Sequence, residues 1–82
     1  MATTTEPTTL QAAHTAASER RPPSNADLTA WVAFHQGNAR MYRIVADIDR
    51  WHHHEAMYWV GYEERKAGEV SARIQAEKSH NN

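Results

Sequence analysis

The chain has 82 residues, with nine lysines and arginines, ten aspartates and glutamates, and no cysteine. This length allows one small domain, whose core is marginal without a metal, a partner subunit or very regular helix packing. The lack of cysteine excludes disulfides, thiolate zinc sites and cysteine nucleophiles, and the formal net charge of -1 disfavours binding to nucleic acid or to anionic membranes.

The first predicted segment is a flexible tail over residues 1–23. It is rich in threonine and contains all three prolines, and Leu10 is its one sizeable apolar side chain. Such a segment buries too little apolar surface to offset the entropy lost on ordering. A short helical turn over residues 10–17 is the alternative to a fully flexible arm. The chain has neither a recognisable membrane span nor an export signal, so we expect a cytoplasmic protein.

The next predicted element is a long helix that begins at Ser24. Ser24 and Asp27 have the three-residue spacing of a reciprocal N-cap, directly before an apolar run. Apolar residues then recur with helical spacing as far as Ile48. Gly37 leaves two alternatives open. It divides this segment into two helices, or it lies inside one helix at a cost of about 1 kcal/mol relative to alanine.

A second helix is predicted from Asp49 to about residue 78. Asp49 is a suitable N-cap residue, and the apolar residues that follow recur on one helical face. No segment has the alternating pattern of a strand. The predicted fold is therefore all-α: an antiparallel helical hairpin over residues 24–78, with a flexible tail before it and a frayed end over residues 79–82.

The segment from Trp51 to Tyr62 joins a histidine run to a group of large apolar side chains. On a helix, these aromatic side chains extend further round the cylinder than a two-helix core can cover. Aromatic residues are also enriched at interface hot spots. We therefore predict an interface with another protein or a second copy, with candidate residues Trp51, Tyr58, Trp59 and Tyr62. The alternative is that these side chains only hold the two helices together.

Candidate metal ligands lie at the start of the second helix. Asp49, His52 and His53 combine a carboxylate with imidazoles three or four positions away, a spacing that suits one helical face. Consecutive histidines on a helix nevertheless point about 100° apart and do not converge on one ion. The sequence thus favours a structural role in the first helical turn, and no cofactor is expected.

Two further function classes, an enzyme and a DNA-associated regulator, are less compatible with the sequence. The chain has no glycine-rich phosphate loop and no serine in a nucleophile motif, so we do not expect an enzyme. A DNA-associated regulator is the second function class, because a basic stripe can be drawn through Arg40, Arg43, Arg65, Lys66 and Arg73. Because acidic residues are interspersed with these basic ones, the DNA-associated regulator is the second choice. A small, non-catalytic interaction or regulatory protein is the preferred prediction.

Part of the chain resembles half of a tetratricopeptide repeat. The runs Glu55-Ala56-Met57, Val60-Gly61 and Gly68-Glu69-Val70 lie at intervals similar to the first helix and turn of that repeat. The similarity covers residues 48–70, and no second copy precedes it at the period of the repeat. It therefore implies a helical segment but no repeat array with a peptide-binding groove.

The stretch from Tyr42 to Ala67 resembles small, uncharacterised helical proteins of actinobacteria. The similarity is carried above all by Asp49, by the run His52-His53-His54-Glu55-Ala56 and by Tyr58-Trp59. Those proteins often have proline after the aspartate, where this chain has Arg50. The resemblance implies a cytoplasmic bacterial protein with an all-helical fold, and it implies no particular activity.

Overall fold

The computed structural model describes residues 6–80, which form three α-helices and no strand. Helix α1 spans Leu10–Arg20, α2 spans Leu28–Ile48 and α3 spans His53–His80, and one turn of 3-10 helix, Arg50–His52, joins α2 to α3. The all-α class is therefore confirmed over the described range. None of these helices combines the length and the apolar character that crossing a bilayer requires.

Helices α2 and α3 form the main pair. Where α2 ends and α3 begins, the His53 Nδ1–H donates to the carbonyl oxygen of Ala46 over 2.8 Å. At the opposite end, Leu28 near the start of α2 and Lys78 near the end of α3 line the same shallow pocket. The two helices therefore lie side by side and run in opposite directions.

The core joins side chains from all three helices. Its largest fully buried apolar side chains are Tyr42, Val45 and Val60. Alanines make up much of the rest. The complete buried cluster consists of Leu10, Ala13, Ala17, Met41, Tyr42, Val45, Ala46, Ala56 and Val60.

The N-terminal segment differs from the prediction of a flexible tail. Residues 10–20 form α1, so the packed body begins well before residue 24. Thr9 is the N-cap, and its Oγ1 accepts the Ala12 N–H over 3.1 Å. A helix this short is marginal by itself, and packing against the other helices stabilises it. Residues 1–5 of the predicted tail lie outside the described residues.

Polar contacts hold both ends of α1 on the body. At its start, the Leu10 N–H donates to the Asp49 carboxylate over 2.9 Å. Near its end, Arg20 Nη2 donates to Asn38 Oδ1 over 2.6 Å. Helix α1 therefore runs antiparallel to α2, with its beginning beside the α2–α3 turn.

The predicted helix boundaries also need correction. Helix α2 begins at Leu28 with Asp27 as its N-cap residue, so the predicted start at Ser24 is wrong. The preceding residues form a turn closed by a 2.9 Å hydrogen bond between the backbone atoms of Ala26 and Pro23. Gly37 lies inside α2, which is one continuous helix.

The second predicted helix, from Asp49, corresponds to the 3-10 turn followed by α3. Asp49 is the C-cap residue of α2, so the predicted break between the two helices lies at the expected place. At the C-terminus, Ser79 and His80 belong to α3, which corrects the predicted frayed end over that pair. Residues 81 and 82 lie outside the described residues.

Candidate interaction surface

The four predicted interface residues have very different exposures. Trp51 is 95% exposed and Tyr58 is 59% exposed. Trp59 and Tyr62 are partly buried. Trp51 and Tyr58 are therefore the members of this set that stand open to a partner.

Trp59 belongs to an aromatic cluster that includes α1. Its ring lies edge-on to that of His14, with 5.1 Å between centroids, and it stacks against Tyr42 at 6.2 Å. His14 Nδ1 and Tyr42 Oη lie 2.7 Å apart and share a hydrogen bond. Burial raises the pKa of Tyr42 to about 12, and the charge of Glu63 adds to this effect. Helix α1 thus covers one side of the aromatic face that two helices alone would leave open.

Tyr58 and Tyr62 extend this cluster along α3. Each ring meets Trp59 in a T-shaped contact, at 5.3 Å for Tyr58 and 5.2 Å for Tyr62. Two cations lie over the Tyr62 ring, the Arg65 guanidinium at 6.0 Å and the Lys66 ammonium at 5.6 Å. In this aromatic row, Tyr58 is exposed, Trp59 is packed against its neighbours, and Tyr62 is covered by two cations.

A second group of exposed apolar side chains lies at the α2–α3 turn. Ile44 is 50% exposed, Ile48 is 52% exposed, and Trp51 follows in the 3-10 turn. Ile44 and Ile48 are four residues apart on α2 and hence share one face. We call Ile44, Ile48 and Trp51 the turn surface. The two isoleucines were not among the predicted interface residues, because they share the helical spacing of the other apolar residues of α2 and nothing in the sequence indicates their exposure.

The candidate metal ligands take part in helix docking. The Asp49 carboxylate accepts the Leu10 N–H over 2.9 Å and the His52 Nδ1–H over 2.9 Å, while His53 binds the carbonyl of Ala46. Among the described side chains, those of residues 6–79, no three or more from histidine and acidic residues come together as a possible metal site. The hydrogen bonds of Asp49 and the histidines instead join α1 and α2 to the turn.

This arrangement predicts a response to acid. The Leu10 N–H, and after it the His52 side chain, hold the pKa of Asp49 below its usual range. A carboxyl group with a lowered pKa contributes stability above its unfolded pKa, and this contribution is lost as the pH falls through the folded pKa. We expect the start of α1 to loosen below about pH 4.

Thermal unfolding followed by circular dichroism from neutral pH to about pH 2 measures this effect. Asp49→Asn keeps a hydrogen-bond acceptor and removes the charge. It should therefore lower the melting temperature at neutral pH and reduce the fall in melting temperature between about pH 4 and pH 2. An equal fall in melting temperature on acidification in Asp49→Asn and in the parent chain would contradict the role of the Asp49 charge in holding α1.

The five basic residues of the DNA hypothesis lie in different surroundings. Arg40 and Arg43 line a shallow groove between α2 and α3, and Arg43 pairs with Glu64 over 2.9 Å. Arg65 and Lys66 cover Tyr62, and Lys66 also lies 3.6 Å from Glu69. Arg73 is exposed further along α3. Two of these cations therefore already have acidic partners.

Two buried polar groups were not predicted. Glu63 is 6% exposed and accepts the His35 Nδ1–H over 2.6 Å, which ties α3 to α2. Asn38 is fully buried, and among the described residues its Nδ2 has no hydrogen-bond partner. The spacing of Glu63 from Val60 and Ala56 places it on the core face, and this was the one sequence signal for its burial.

Comparisons with protein-family models, with curated proteins and with solved structures give no match to this chain. The side chains of the turn surface themselves indicate what it can bind. It combines three large exposed apolar side chains beside Asp49, the residue on which α1 is anchored. Such a group is suited to burial against another apolar surface.

Proposed function

We propose that this chain is a small, non-catalytic interaction protein that associates with a second copy of itself through the turn surface. The 95% exposure of Trp51 is the observation that carries this proposal. A tryptophan buries roughly 150–250 Å² when it is covered, and tryptophan is enriched among the residues that dominate binding energy. Ile44 and Ile48 extend the apolar area on the adjoining helix.

The chemistry of the turn surface favours a second copy as the partner. All three of its side chains are apolar, so two identical surfaces can bury them against each other across a two-fold axis. The net charge of -1 adds little repulsion between copies. A small three-helix core also gains stability when part of its exposed apolar surface is covered.

The non-catalytic part of the proposal is supported by the roles of the titratable side chains. His35 and Glu63 join two helices in the interior, and His14 binds the buried phenol of Tyr42. Asp49 anchors the start of α1. These groups are engaged in holding helices together rather than grouped around a substrate-sized cleft.

Sedimentation velocity over a range of protein concentrations tests the proposal. The weight-average sedimentation coefficient of the parent chain should rise with concentration. Trp51→Ala should weaken association by about tenfold or more, with helicity unchanged, because it removes the central side chain. Gln75→Ala, an exposed change near the far end of α3, is the matched control and should associate like the parent.

Two results would contradict the proposed function. One is a parent chain that stays monomeric at every concentration. The other is a Trp51→Ala chain that associates as tightly as the Gln75→Ala control.

A further inference from the structure

A groove lies between α2 and α3, and its volume is about 510 Å³. No residue of α1 or of the turn surface lines it, so it is separate from the surface proposed for self-association. Two buried alanines, Ala39 and Ala67, form its floor. Its walls are mainly polar and are formed by Gln36, Arg40, Arg43, Glu64, Gly68 and Ser71.

The two cations of this groove have different surroundings. Arg43 pairs with Glu64 over 2.9 Å, so the one acidic side chain that lines the groove is already neutralised. Arg40 is exposed, and among residues 6–79, whose side chains are described, no acidic group forms an ion pair with it. The groove therefore has an uncompensated positive charge at Arg40.

The Arg40 side chain folds back along α2. Its Nη2 lies 3.8 Å from the position that a Cβ atom would take at Gly37. Gln36, the neighbour of Gly37, lines the groove together with Ser71. A guanidinium, an amide and a hydroxyl group thus line the same part of the groove. These donors suit a phosphate, because a guanidinium can donate two parallel hydrogen bonds to it and the other groups can bind its remaining oxygens.

Gly68 leaves this part of the groove open. It lies inside α3, where glycine is less favourable than alanine. A Cβ atom at Gly68 would meet nothing within 4 Å, and the backbone there does not have a positive φ. Contacts within the described chain therefore do not require glycine at this position. Its missing side chain instead allows a ligand to approach the α3 backbone closely.

The groove continues past Gln36 and Ser71 into a smaller section of about 220 Å³. Val32 and Ile74 line this section, and both are half-buried. A phosphate bound beside Arg40 therefore lies next to an apolar section that can hold the rest of a small ligand. Ligand sites commonly combine apolar walls with a few polar groups that fix the orientation of the ligand.

We propose that this groove binds a small phosphate ester with a compact apolar group. Arg40 and Ser71 bind the phosphate beside Gly68. The apolar group lies against Val32 and Ile74. Because the groove and the turn surface share no residue, this binding does not depend on self-association.

Titration with phenyl phosphate at constant ionic strength, followed by two-dimensional amide NMR, tests this site. We expect saturable shifts of the backbone amide signals of Gly68 and Ser71, with a Kd of about 1 mM. Inorganic phosphate is the second probe. It should bind about fivefold more weakly, because it leaves the apolar section of the groove uncovered.

Three variants separate a ligand site from a structural role. Arg40→Gln should weaken the binding of phenyl phosphate about tenfold, because it removes the guanidinium that binds the phosphate. Arg73→Gln makes the same change of charge at an exposed position outside the groove and should bind like the parent chain. Gly68→Ala should raise the melting temperature, because alanine favours the helix, and should weaken binding, because its methyl group occupies the space beside α3.

Each of four results would overturn the proposal. The first is the lack of saturable shifts of the Gly68 and Ser71 signals up to about 20 mM phenyl phosphate. The second is equal affinity in Arg40→Gln and Arg73→Gln. The third is a Gly68→Ala chain that binds like the parent, and the fourth is inorganic phosphate that binds as tightly as phenyl phosphate.

Discussion

Replacing Tyr42 with alanine is expected to remove a large share of the stability of this protein. Tyr42 is 2% exposed, stacks against Trp59 and shares a hydrogen bond with His14 on α1. Truncation of a buried aromatic side chain costs about 3–5 kcal/mol. The whole free energy of unfolding of a domain this size is about 4–12 kcal/mol, so urea unfolding should show a large loss.

Tyr42→Phe is the matched control for this prediction. It keeps the ring and removes the hydroxyl, so it should cost about 1 kcal/mol through the lost hydrogen bond to His14. A Tyr42→Ala chain with an unfolding midpoint close to that of Tyr42→Phe would contradict the central position of this ring in the core.

The raised pKa of Tyr42 also makes the stability of the parent chain depend on pH in the alkaline range. Because its pKa in the folded protein is about 12, above the usual value of about 10 for tyrosine, the folded state resists ionisation of the phenol. The stabilisation is complete below the unfolded pKa and is lost as the pH rises through the folded value. Tyr42→Phe should therefore lose this alkaline component of unfolding.

The second large effect is expected at Trp59. Its ring contacts His14, Tyr42, Tyr58 and Tyr62, and it is partly buried against the core. We expect Trp59→Ala to cost about 2–3 kcal/mol, somewhat less than for a fully buried ring, and to lower the melting temperature by about 8–24 °C.

Trp51→Ala is the matched comparison, because it removes the same side chain from an exposed position. Surface substitutions away from special features change stability by about 0.5 kcal/mol or less. Thermal unfolding at low protein concentration, where association does not contribute, measures both variants. Equal losses of stability for Trp51→Ala and Trp59→Ala would contradict the different environments of the two rings.

The sequence predicted two of the three helices well and for a clear reason. Large apolar residues with helical spacing define α2 and α3, and Asp49 lies at the break between them. Helix α1 was predicted only as the alternative to a flexible arm, as a short turn over residues 10–17, because its buried face is formed by one leucine and two alanines, whose low hydrophobicity gives little signal. The spacing of Leu10, Ala13 and Ala17 does follow a helix, and Thr9 is a suitable N-cap.

The candidate interface residues could be predicted from the sequence only as a group. The sequence placed Trp51, Tyr58, Trp59 and Tyr62 in one aromatic set, but their exposures depend on a helix that the prediction treated as a flexible tail. Once α1 is docked, His14 covers one side of Trp59. The periodic pattern of α3 contains no information about its contact with residue 14. The different exposures of Trp51 and Trp59 therefore could not be predicted from the sequence around them.

The start of α2 was predicted wrongly for a different reason. Ser24 and Asp27 have the residue types and spacing of a reciprocal cap, yet the chain forms a turn after Pro23 and starts the helix at Leu28. A cap motif specifies a helix start only if the backbone before it has the required conformation. The two prolines and the path of the linker from α1 determine that conformation here.

Fluorescence quenching by acrylamide in single-tryptophan chains tests the central claim most directly, namely that Trp59 is packed under α1 while Trp51 is free to bind. One chain keeps Trp51 and carries Trp31→Phe and Trp59→Phe, and the other keeps Trp59 and carries Trp31→Phe and Trp51→Phe. In dilute solution, Trp51 should be quenched almost as readily as free tryptophan, and Trp59 much less. At high concentration, association should protect Trp51 and leave Trp59 unchanged. Equal quenching of both residues, or quenching of Trp51 that is independent of concentration, would contradict the account.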